Sequence, residues 1–285
     1  MGGLGVLDQL ELGDHVCWTV DDDEVRLDAI ADVLQTGLRS RQKVCYLGDQ
    51  PAAVLARLSA RGVTTRNALA TGQLIADTAE GSYLAGGSFE PEATIEQFLA
   101  EKARTRQQGY LGLRVVGDMS WAARGVPGSD RLDWYEARIN EIFVDGFVTG
   151  VCAYDRRLFD LLTLRRLTLA HPGAAGPLLP FDPASSLRCG RTTGPFGIRL
   201  TGEADMSNRL ALQSVLEAML RDLPREGAPA IVDVTGLTFA DTAAARIIIQ
   251  AVADSQGQVQ VLGCTPVVAR LLRFHGLCDQ SQNPS

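Results

Sequence analysis

Lysine is nearly absent from this sequence. Of its 27 basic residues only two, Lys43 and Lys102, are lysines. A phosphate-binding P-loop needs a lysine that is followed by serine or threonine, whereas Val44 and Ala103 follow these two. The sequence therefore excludes a Walker-type nucleotide site and leaves only two candidates for Schiff-base chemistry.

Long apolar runs and basic patches are missing as well. No run of about 18 apolar residues is present, and residues 1–15 have neither the basic start nor the apolar core of a signal peptide. The net charge of -7 repels phosphate backbones and anionic lipids, and the sequence has no basic patch that could bind either. We therefore expect a cytoplasmic protein without a nucleic-acid or membrane partner.

Paired cysteine motifs are also missing. Six cysteines are scattered without a C-x-x-C pair, which favours reduced thiols over a disulfide framework or a zinc site; they are Cys17, Cys45, Cys152, Cys189, Cys264 and Cys278. The first three each follow a valine in an apolar run, and we interpret them as small core side chains. We predict no metal and no cofactor.

The chain divides into two α/β parts. Residues 171–195 are rich in proline, glycine, alanine and serine, which predicts a linker over 173–194 between domains at 1–172 and 195–285. In the first part, β-branched runs alternate with helical stretches, with a last strand in LTLAH (167–171). This order predicts a mainly parallel sheet with helices on both faces. The second part is predicted to be a smaller α/β domain of about 90 residues, large enough to fold alone.

Several polar residues are candidates for a site. Ligands of such sheets bind beyond the carboxyl ends of the strands, where Asp21 to Asp23, Asp49, Asp77, Asp118 and Asp155 are expected. The acidic run of residues 21–24 precedes a helix, so we interpret it as a helix cap and not as a cation site. His15 and Cys17 share one strand face, with Trp18 on the other. A dyad or metal site of His15 and Cys17 with His171 is the alternative to structural histidines.

Charged and aromatic residues in this part either line a small-molecule pocket or simply rim the sheet. They are Arg114, Asp118, Trp121, Tyr135, Glu136, Tyr154, Asp155 and Arg156.

Ordered blocks across residues 11–172 resemble the MEDS family of sensory domains. The blocks are GDHVCW (13–18), YLGD (46–49), TAEGSYLAGGSFEPE (78–92), LRVVGDMSWA (113–122), YEARIN (135–140), CAYDRR (152–157) and the final HP (171–172). The resemblance implies a RecA-like fold without its nucleotide loop, which senses small organic molecules. The pocket candidates that it implies are His15, Cys17, Trp18, Asp118, Trp121, Tyr154 and Asp155.

Residues 196–278 resemble a STAS domain of the anti-sigma-factor antagonist type. The matching blocks are LTGEAD (200–205), IVDVTGLTFADTAAAR (231–246) and VLGCTPVVARLLRFHGL (261–277). In that family a partner kinase phosphorylates a serine at the start of a helix, and Thr242, next to Asp241, holds the matching place. Ala243 and Ala244 depart from the family turn. The alternative is that Thr242 only caps the helix.

The sequence thus predicts a regulatory protein and not an enzyme. The sensory part would bind a small organic effector, and the second part would bind an anti-sigma factor kinase, with phosphorylation of Thr242 as the switch. One alternative is a hydrolase or transferase that uses Asp118, Asp155 and His15, although no G-x-S-x-G or H-E-x-x-H motif supports it. The other is a protein-interaction scaffold that is never phosphorylated.

Overall fold

Two α/β domains follow each other along the chain in a computed structural model, which describes residues 7–177, 179–224, 228–263 and 265–275. The larger domain contains β1 (His15–Val20), α1 (Asp23–Arg39), β2 (Lys43–Leu47), α2 (Pro51–Ala60), α3 (Thr65–Ala70), β3 (Leu74–Asp77), α4 (Pro91–Gln107), β4 (Leu113–Asp118), α5 (Leu132–Arg138), β5 (Val148–Asp155), α6 (Leu161–Leu169) and β6 (Gly173–Ala175). The smaller domain contains β7 (Arg188–Thr193), β8 (Phe196–Ala204), α7 (Arg209–Arg221), β9 (Ala230–Ala240), α8 (Thr242–Asp254), β10 (Val259–Leu262) and α9 (Pro266–Phe274).

The larger sheet has the order β3-β2-β4-β5-β1-β6, and all of its strand pairs are parallel. Alternate side chains of each strand enter different cores. On β2, Val44 packs into the core that contains Ile30 of α1, whereas Cys45 packs into the core that contains Phe98 of α4. Both faces are therefore covered, which explains why the strands read as continuous apolar runs.

The smaller sheet has the order β10-β9-β8-β7, in which only β7 and β8 pair antiparallel. Its core combines strand residues such as Ile198 and Val232 with Leu212 of α7, Ile248 of α8 and Leu272 of α9. The two sheets confirm the predicted fold class, a mainly parallel sheet followed by a smaller α/β domain.

One predicted strand is a helix. LTLAH (167–171) does not form a strand, because α6 continues to Leu169 and the sixth strand lies at Gly173–Ala175. Asp160 starts α6 by accepting hydrogen bonds from the amides of residues 162 and 163. Leu164 and Leu167 of α6 are buried at helical spacing. The stretch 173–194, expected to be an irregular linker, contains β6 and β7.

Other local predictions are confirmed. The carboxylate of Asp22 caps α1 by accepting from the amide of Val25 at 2.9 Å, as expected for the acidic run. Cys17, Cys45 and Cys152 are buried. The predicted thiols at Cys264 and Cys278 lie outside the described residues. Within the described ranges, no helix is both long and apolar enough to cross a bilayer.

The two domains contact each other through α5 and α7. A groove of about 300 Å³ runs between these helices, with Trp134 and Arg138 on one wall and Gln213 and Glu217 on the other. Ion pairs flank the contact, such as Arg221 Nη2 to Glu141 Oε2 at 2.9 Å and Arg188 Nε to Asp14 Oδ1 at 2.7 Å. Helix α5 thus belongs both to the larger domain's core and to the interdomain contact.

Candidate functional site

A buried cluster of four side chains lies between the larger sheet and the layer of α5 and α6. We use the term buried cluster for His15 of β1, Glu136 of α5, Cys152 of β5 and His171, which follows α6. All four are buried, and their nitrogen, oxygen and sulfur atoms lie within 4.8 Å of one another. The parallel pairing of β1 with β5 places His15 opposite Gly150, two residues before Cys152. Four separate elements therefore bring one polar group each into an apolar core.

Glu136 is the centre of the buried cluster. Its Oε1 accepts a hydrogen bond from the Tyr154 hydroxyl at 2.5 Å. Its Oε2 lies 3.3 Å from His171 Nε2 and 3.5 Å from His15 Nε2, and it accepts from the Cys152 thiol at 3.4 Å. Burial alone would raise the pKa of Glu136, but the two histidines beside it outweigh burial and lower that pKa. We therefore treat Glu136 as an ionised carboxylate.

Asn140 orients the ring of His15. The Asn140 amide nitrogen lies within 2.9 Å of three backbone carbonyl oxygens, so its Oδ1 faces His15 Nδ1, also at 2.9 Å. Because that oxygen only accepts, Nδ1 of His15 donates to it, and Nε2 is the ring nitrogen that points at the cluster. Burial lowers the pKa of His15, and the neighbouring His171 lowers it further, against the opposing effect of the Glu136 carboxylate.

His171 has the same orientation. Its Nδ1 lies 2.8 Å from the backbone carbonyl oxygen of Leu167, which can only accept, so Nδ1 donates. Its Nε2 points at Glu136 and has no hydrogen-bond partner among the described residues, although it is fully buried. The rings of His171 and His15 lie 4.3 Å apart between centroids. Two imidazole nitrogens therefore converge on one carboxylate.

Two cavities adjoin this region. A small one of about 20 Å³ is lined by His15, Glu136 and Cys152, and such a volume holds roughly one water molecule. A larger one of about 210 Å³ lies beside Cys45 and α4. The rings of Tyr83 and Phe98 line both cavities. The larger cavity is mostly apolar, with polar groups at Gln97, Glu101 and Arg104, and is the better candidate for a small organic ligand.

The carboxyl edge of the larger sheet is filled by ion pairs. Asp118 accepts from the Arg26 guanidinium, and both residues are buried. Asp155 accepts from Nε and Nη2 of Arg157, and these hydrogen bonds lower the pKa of Asp155. Asp49 pairs with Arg124 at 3.3 Å. The carboxylates predicted at this edge are there. Asp49, Asp118 and Asp155 each have an arginine partner from the chain itself, whereas Asp77 accepts from the amide of Thr78 at 2.8 Å.

The seven predicted pocket residues do not form one pocket. His15 belongs to the buried cluster, and the Tyr154 hydroxyl donates a hydrogen bond to Glu136 of that cluster. Cys17 faces the same side, as predicted, but its thiol contacts Thr168 Oγ1 at 3.7 Å. Trp18 packs on the opposite face of the sheet.

The other three candidates, Asp118, Trp121 and Asp155, are also separate. The indole nitrogen of Trp121 is buried without a hydrogen-bond partner among the described residues, while its ring stacks on Tyr83 at 5.4 Å. None of the seven lines the larger cavity.

Sequence reasoning did not assign Asn140 a role and treated Cys152 only as a core side chain. A signal for Asn140 was present in YEARIN, where Glu136 and Asn140 are four residues apart. That spacing places both on one helical face.

A second candidate site lies at the start of α8. The helix cap is Asp241, whose Oδ1 accepts from the amide of Ala244 at 2.8 Å and whose Oδ2 accepts from the amide of Met206 at 2.9 Å. The interpretation of Thr242 as the cap is therefore wrong. Thr242 is the first helical residue and is exposed, and its hydroxyl has no hydrogen-bond partner among the described residues.

Two large, exposed apolar residues lie near the start of α8, and the amide of one of them, Met206, bonds to Asp241. Met206 is 46% exposed and Phe239, three residues before Thr242, is 48% exposed. We call Met206, Phe239 and Thr242 the Thr242 surface. Exposed apolar side chains that cluster around a polar group are typical of protein-binding surfaces.

Two family models match the chain. The model described as "MEDS: MEthanogen/methylotroph, DcmR Sensory domain" matches residues 14–172, and the model described as "Mlab, STAS domain" matches residues 189–279. Among solved structures, a KaiC-like protein, PH0186, from the hyperthermophilic archaeon Pyrococcus horikoshii OT3 is 12% identical, with a TM-score of 0.42 over 70% of this chain and 86% of that chain. No curated protein matched.

The first model covers more than half of the chain, and the order of the two models is the order expected from the resemblances. A sensory domain followed by a STAS domain fits a signalling or regulatory protein. The chain belongs to the MEDS family of sensory domains, and a STAS domain follows its sensory domain.

Proposed function

We propose that this chain is the sensor and antagonist of a partner-switching circuit. In this proposal the MEDS domain binds a small organic effector and the STAS domain binds a serine/threonine kinase of the anti-sigma type. Phosphorylation of Thr242 by that kinase then releases it. The chain itself is a binding protein, and the ATP chemistry belongs to the kinase. The observation that carries the proposal is the exposed hydroxyl of Thr242, which has no hydrogen-bond partner in the part of the chain that the structure describes.

The position of Thr242 suits a phosphoacceptor. The first amides of a helix have no partner within the helix, and the positive end of the helix dipole favours an anion there. Because Asp241 makes the cap, phosphorylation of Thr242 leaves the hydrogen bonds that start α8 in place. The new phosphate is therefore accommodated without unfolding the helix.

The charge of the phosphate would oppose docking. A kinase that covers the Thr242 surface buries the side chains of Met206 and Phe239, which supply apolar area for binding. Phosphorylation of Thr242 adds nearly two negative charges to that surface, beside Asp241. Burying these charges in the complex costs free energy of desolvation and of charge repulsion, and the unphosphorylated complex does not have this cost. Release of the partner is the expected consequence.

The larger cavity supports the sensing part of the proposal. Its 210 Å³ fits a molecule of only a few heavy atoms, and its apolar walls suit a hydrocarbon-like body. Arg104 and Glu101 on α4 provide polar groups for one end of such a molecule. Tyr83 and Phe98 separate this cavity from the buried cluster, so an effector there contacts the packing that surrounds Glu136.

Helices α5 and α7 provide a physical route between the domains. Glu136 lies on α5, and the next two residues of that helix, Ala137 and Arg138, line the groove against α7. Helix α7 begins three residues after Met206, which belongs to the Thr242 surface. If α5 has two positions that bind the effector with different affinity, effector binding shifts α5 towards one of them. Through α7, that shift would reach the Thr242 surface.

Affinity measurements with a purified anti-sigma-type kinase test the proposal. We expect Thr242→Asp to weaken binding at least tenfold, about 1.4 kcal/mol, and Thr242→Ala to bind like the wild type. Thr193→Asp is the matched control, because Thr193 is an exposed threonine of the same domain on strand β7. Phe239→Ser should also weaken binding, because it removes apolar area from the surface.

If Thr193→Asp and Thr242→Asp weakened kinase binding equally, the effect would be one of general charge and would contradict the switch. Binding that is unaffected by every one of these changes would favour a scaffold whose interface lies elsewhere. ATP turnover by the chain alone would contradict its role as a binding protein.

A further inference from the structure

We propose that the buried cluster of His15, Glu136, Cys152 and His171 is a binding site for one divalent transition-metal ion of the zinc type. The proposal concerns the MEDS domain alone and does not depend on phosphorylation of Thr242. The sequence predicted no metal, because it contains no paired cysteine motif, and gave a site of His15, Cys17 and His171 only as an alternative. The fold brings the four residues of the buried cluster together.

The spacing of the side-chain atoms fits tetrahedral coordination. Zinc binds histidine nitrogen at about 2.0–2.1 Å and thiolate sulfur at about 2.3 Å, so neighbouring ligand atoms of a tetrahedron lie roughly 3.3–3.6 Å apart. Four such separations are already present: His15 Nε2 to Cys152 Sγ at 3.4 Å, Cys152 Sγ to Glu136 Oε2 at 3.4 Å, and Glu136 Oε2 to the two histidines at 3.3 and 3.5 Å. The remaining separations are within 4.8 Å. Closing them requires only side-chain adjustment around the ion.

Both histidines are held in the tautomer that a metal needs. Their Nδ1 atoms donate to Asn140 Oδ1 and to the Leu167 carbonyl oxygen, which leaves both Nε2 lone pairs directed at the cluster. Outer hydrogen bonds of this kind accompany nearly all metal-binding histidines. Without an ion or an additional proton, the buried His171 Nε2 has no partner among the described residues. A metal ion would satisfy it.

The charges also balance around a divalent ion. Glu136 supplies one negative charge, and Cys152 supplies a second when it loses its proton to become a thiolate. As metal ligands both histidines are neutral, so a divalent ion with one carboxylate and one thiolate would leave the buried site with no net charge. Binding then breaks the S–H bond of Cys152, forms the metal–sulfur bond and releases one proton to solvent.

Neighbouring side chains support this geometry. The ring of Phe143 stacks on His15 at 4.4 Å, and a side chain at Gly150 would clash with both rings. Tyr154 donates to the oxygen of Glu136 that faces away from the histidines. Asn140 is a positioning residue, because it touches His15 and not the proposed ion. The site is thus surrounded by groups that fix its ligands in place.

Metal titration of the untagged full chain tests the proposal. After chelator treatment, the wild type is expected to bind one Co²⁺ with a thiolate-to-cobalt charge-transfer band, and one Zn²⁺ should displace it with release of one proton. Cys152→Ala should lose that band. Cys45→Ala is the matched control, because Cys45 is an equally buried thiol outside the cluster and should keep the band. Asn140→Leu should keep the band but bind roughly 10–100-fold more weakly.

Thermal unfolding of each variant, followed by circular dichroism, confirms that the compared proteins are folded. For the wild type, Zn²⁺ should raise the melting temperature, since an ion that binds only the folded state stabilises it. A folded wild type that binds neither ion stoichiometrically would overturn the proposal. A charge-transfer band that survives in Cys152→Ala would overturn it too. Neither result would bear on the proposed role of Thr242, which the kinase-binding assay tests separately.

Discussion

The buried pair of Arg26 and Asp118 gives a sharp test of the conclusion that the carboxyl edge of the larger sheet is structural. Asp118 is 1% exposed and accepts from Arg26, which is 5% exposed; it also accepts from Ser120 Oγ at 2.6 Å. Asp118→Leu removes the buried carboxylate that pairs with the guanidinium and leaves Arg26 its other ion-pair partner, the exposed Asp23 at 3.1 Å. An uncompensated buried charge of this kind costs about 3–5 kcal/mol.

That cost corresponds to a fall in melting temperature of about 6–20 °C for a domain of this size. Tryptophan fluorescence isolates the transition, because all three tryptophans, Trp18, Trp121 and Trp134, lie in the MEDS domain. The double variant, Arg26→Met with Asp118→Leu, removes both charges and should lose less stability than the sum of the single variants.

A cost below about 1 kcal/mol for Asp118→Leu, or strict additivity in the double variant, would refute the reasoning. Either result would mean that the Asp118 carboxylate is not committed to Arg26 and is available to a ligand. The matched control is Asp49→Leu, because Asp49 also follows a strand of this sheet and pairs with an arginine, but that pair is largely exposed. An exposed pair is worth at most about 1 kcal/mol.

Three further changes have defined outcomes. Gly150→Ala should cost about 1–3 kcal/mol in urea unfolding, because the new methyl would lie 2.7 Å from the Phe143 ring; an unchanged midpoint would contradict the close packing. Asp155→Asn should destabilise the MEDS domain near pH 7 but not in acid. The hydrogen bond from Arg157 lowers the folded-state pKa of Asp155, so its contribution is present above the unfolded carboxyl range and lost as the pH falls through the folded value; melting curves whose difference is independent of pH would contradict this. Asp241→Ala should lower stability by about 1 kcal/mol through loss of the α8 cap, measured by thermal melts of the full chain, and no loss would place the cap elsewhere.

The fold could be predicted from the sequence because its signals are local. Apolar runs such as KVCYL and their flanking helices carry the alternation of a parallel sheet, and an aspartate ends or closely follows each of its first five strands. LTLAH misled the prediction, since leucines two apart fit a strand as well as they fit part of a helix. Its true state depends on Asp160, which starts the helix seven residues earlier. A short window does not contain that information.

The buried cluster could be predicted only in part. His15 and His171 were grouped with Cys17 as a possible dyad or metal site, because His15 and Cys17 share one strand face. Glu136 and Cys152 join them only through the register of β1 with β5 and the packing of α5 on that face. Neither is a property of nearby residues in the chain.

The cap at Asp241 shows the same limit. Asp and Thr are both common helix caps, so the pair Asp241–Thr242 leaves the choice open. The structure decides it because the Asp241 carboxylate reaches the amides of both Ala244 and Met206.

Phosphate mapping on the full chain tests the central claim most directly. The chain is incubated with an anti-sigma-type kinase and ATP, and the modified peptides are identified by mass spectrometry beside Thr242→Ala. The account predicts one phosphate per chain, on Thr242, in the fraction that no longer binds the kinase, and none on the alanine variant. Phosphate that remains on Thr242→Ala, or a Thr242-phosphorylated chain that still holds the kinase, would contradict it.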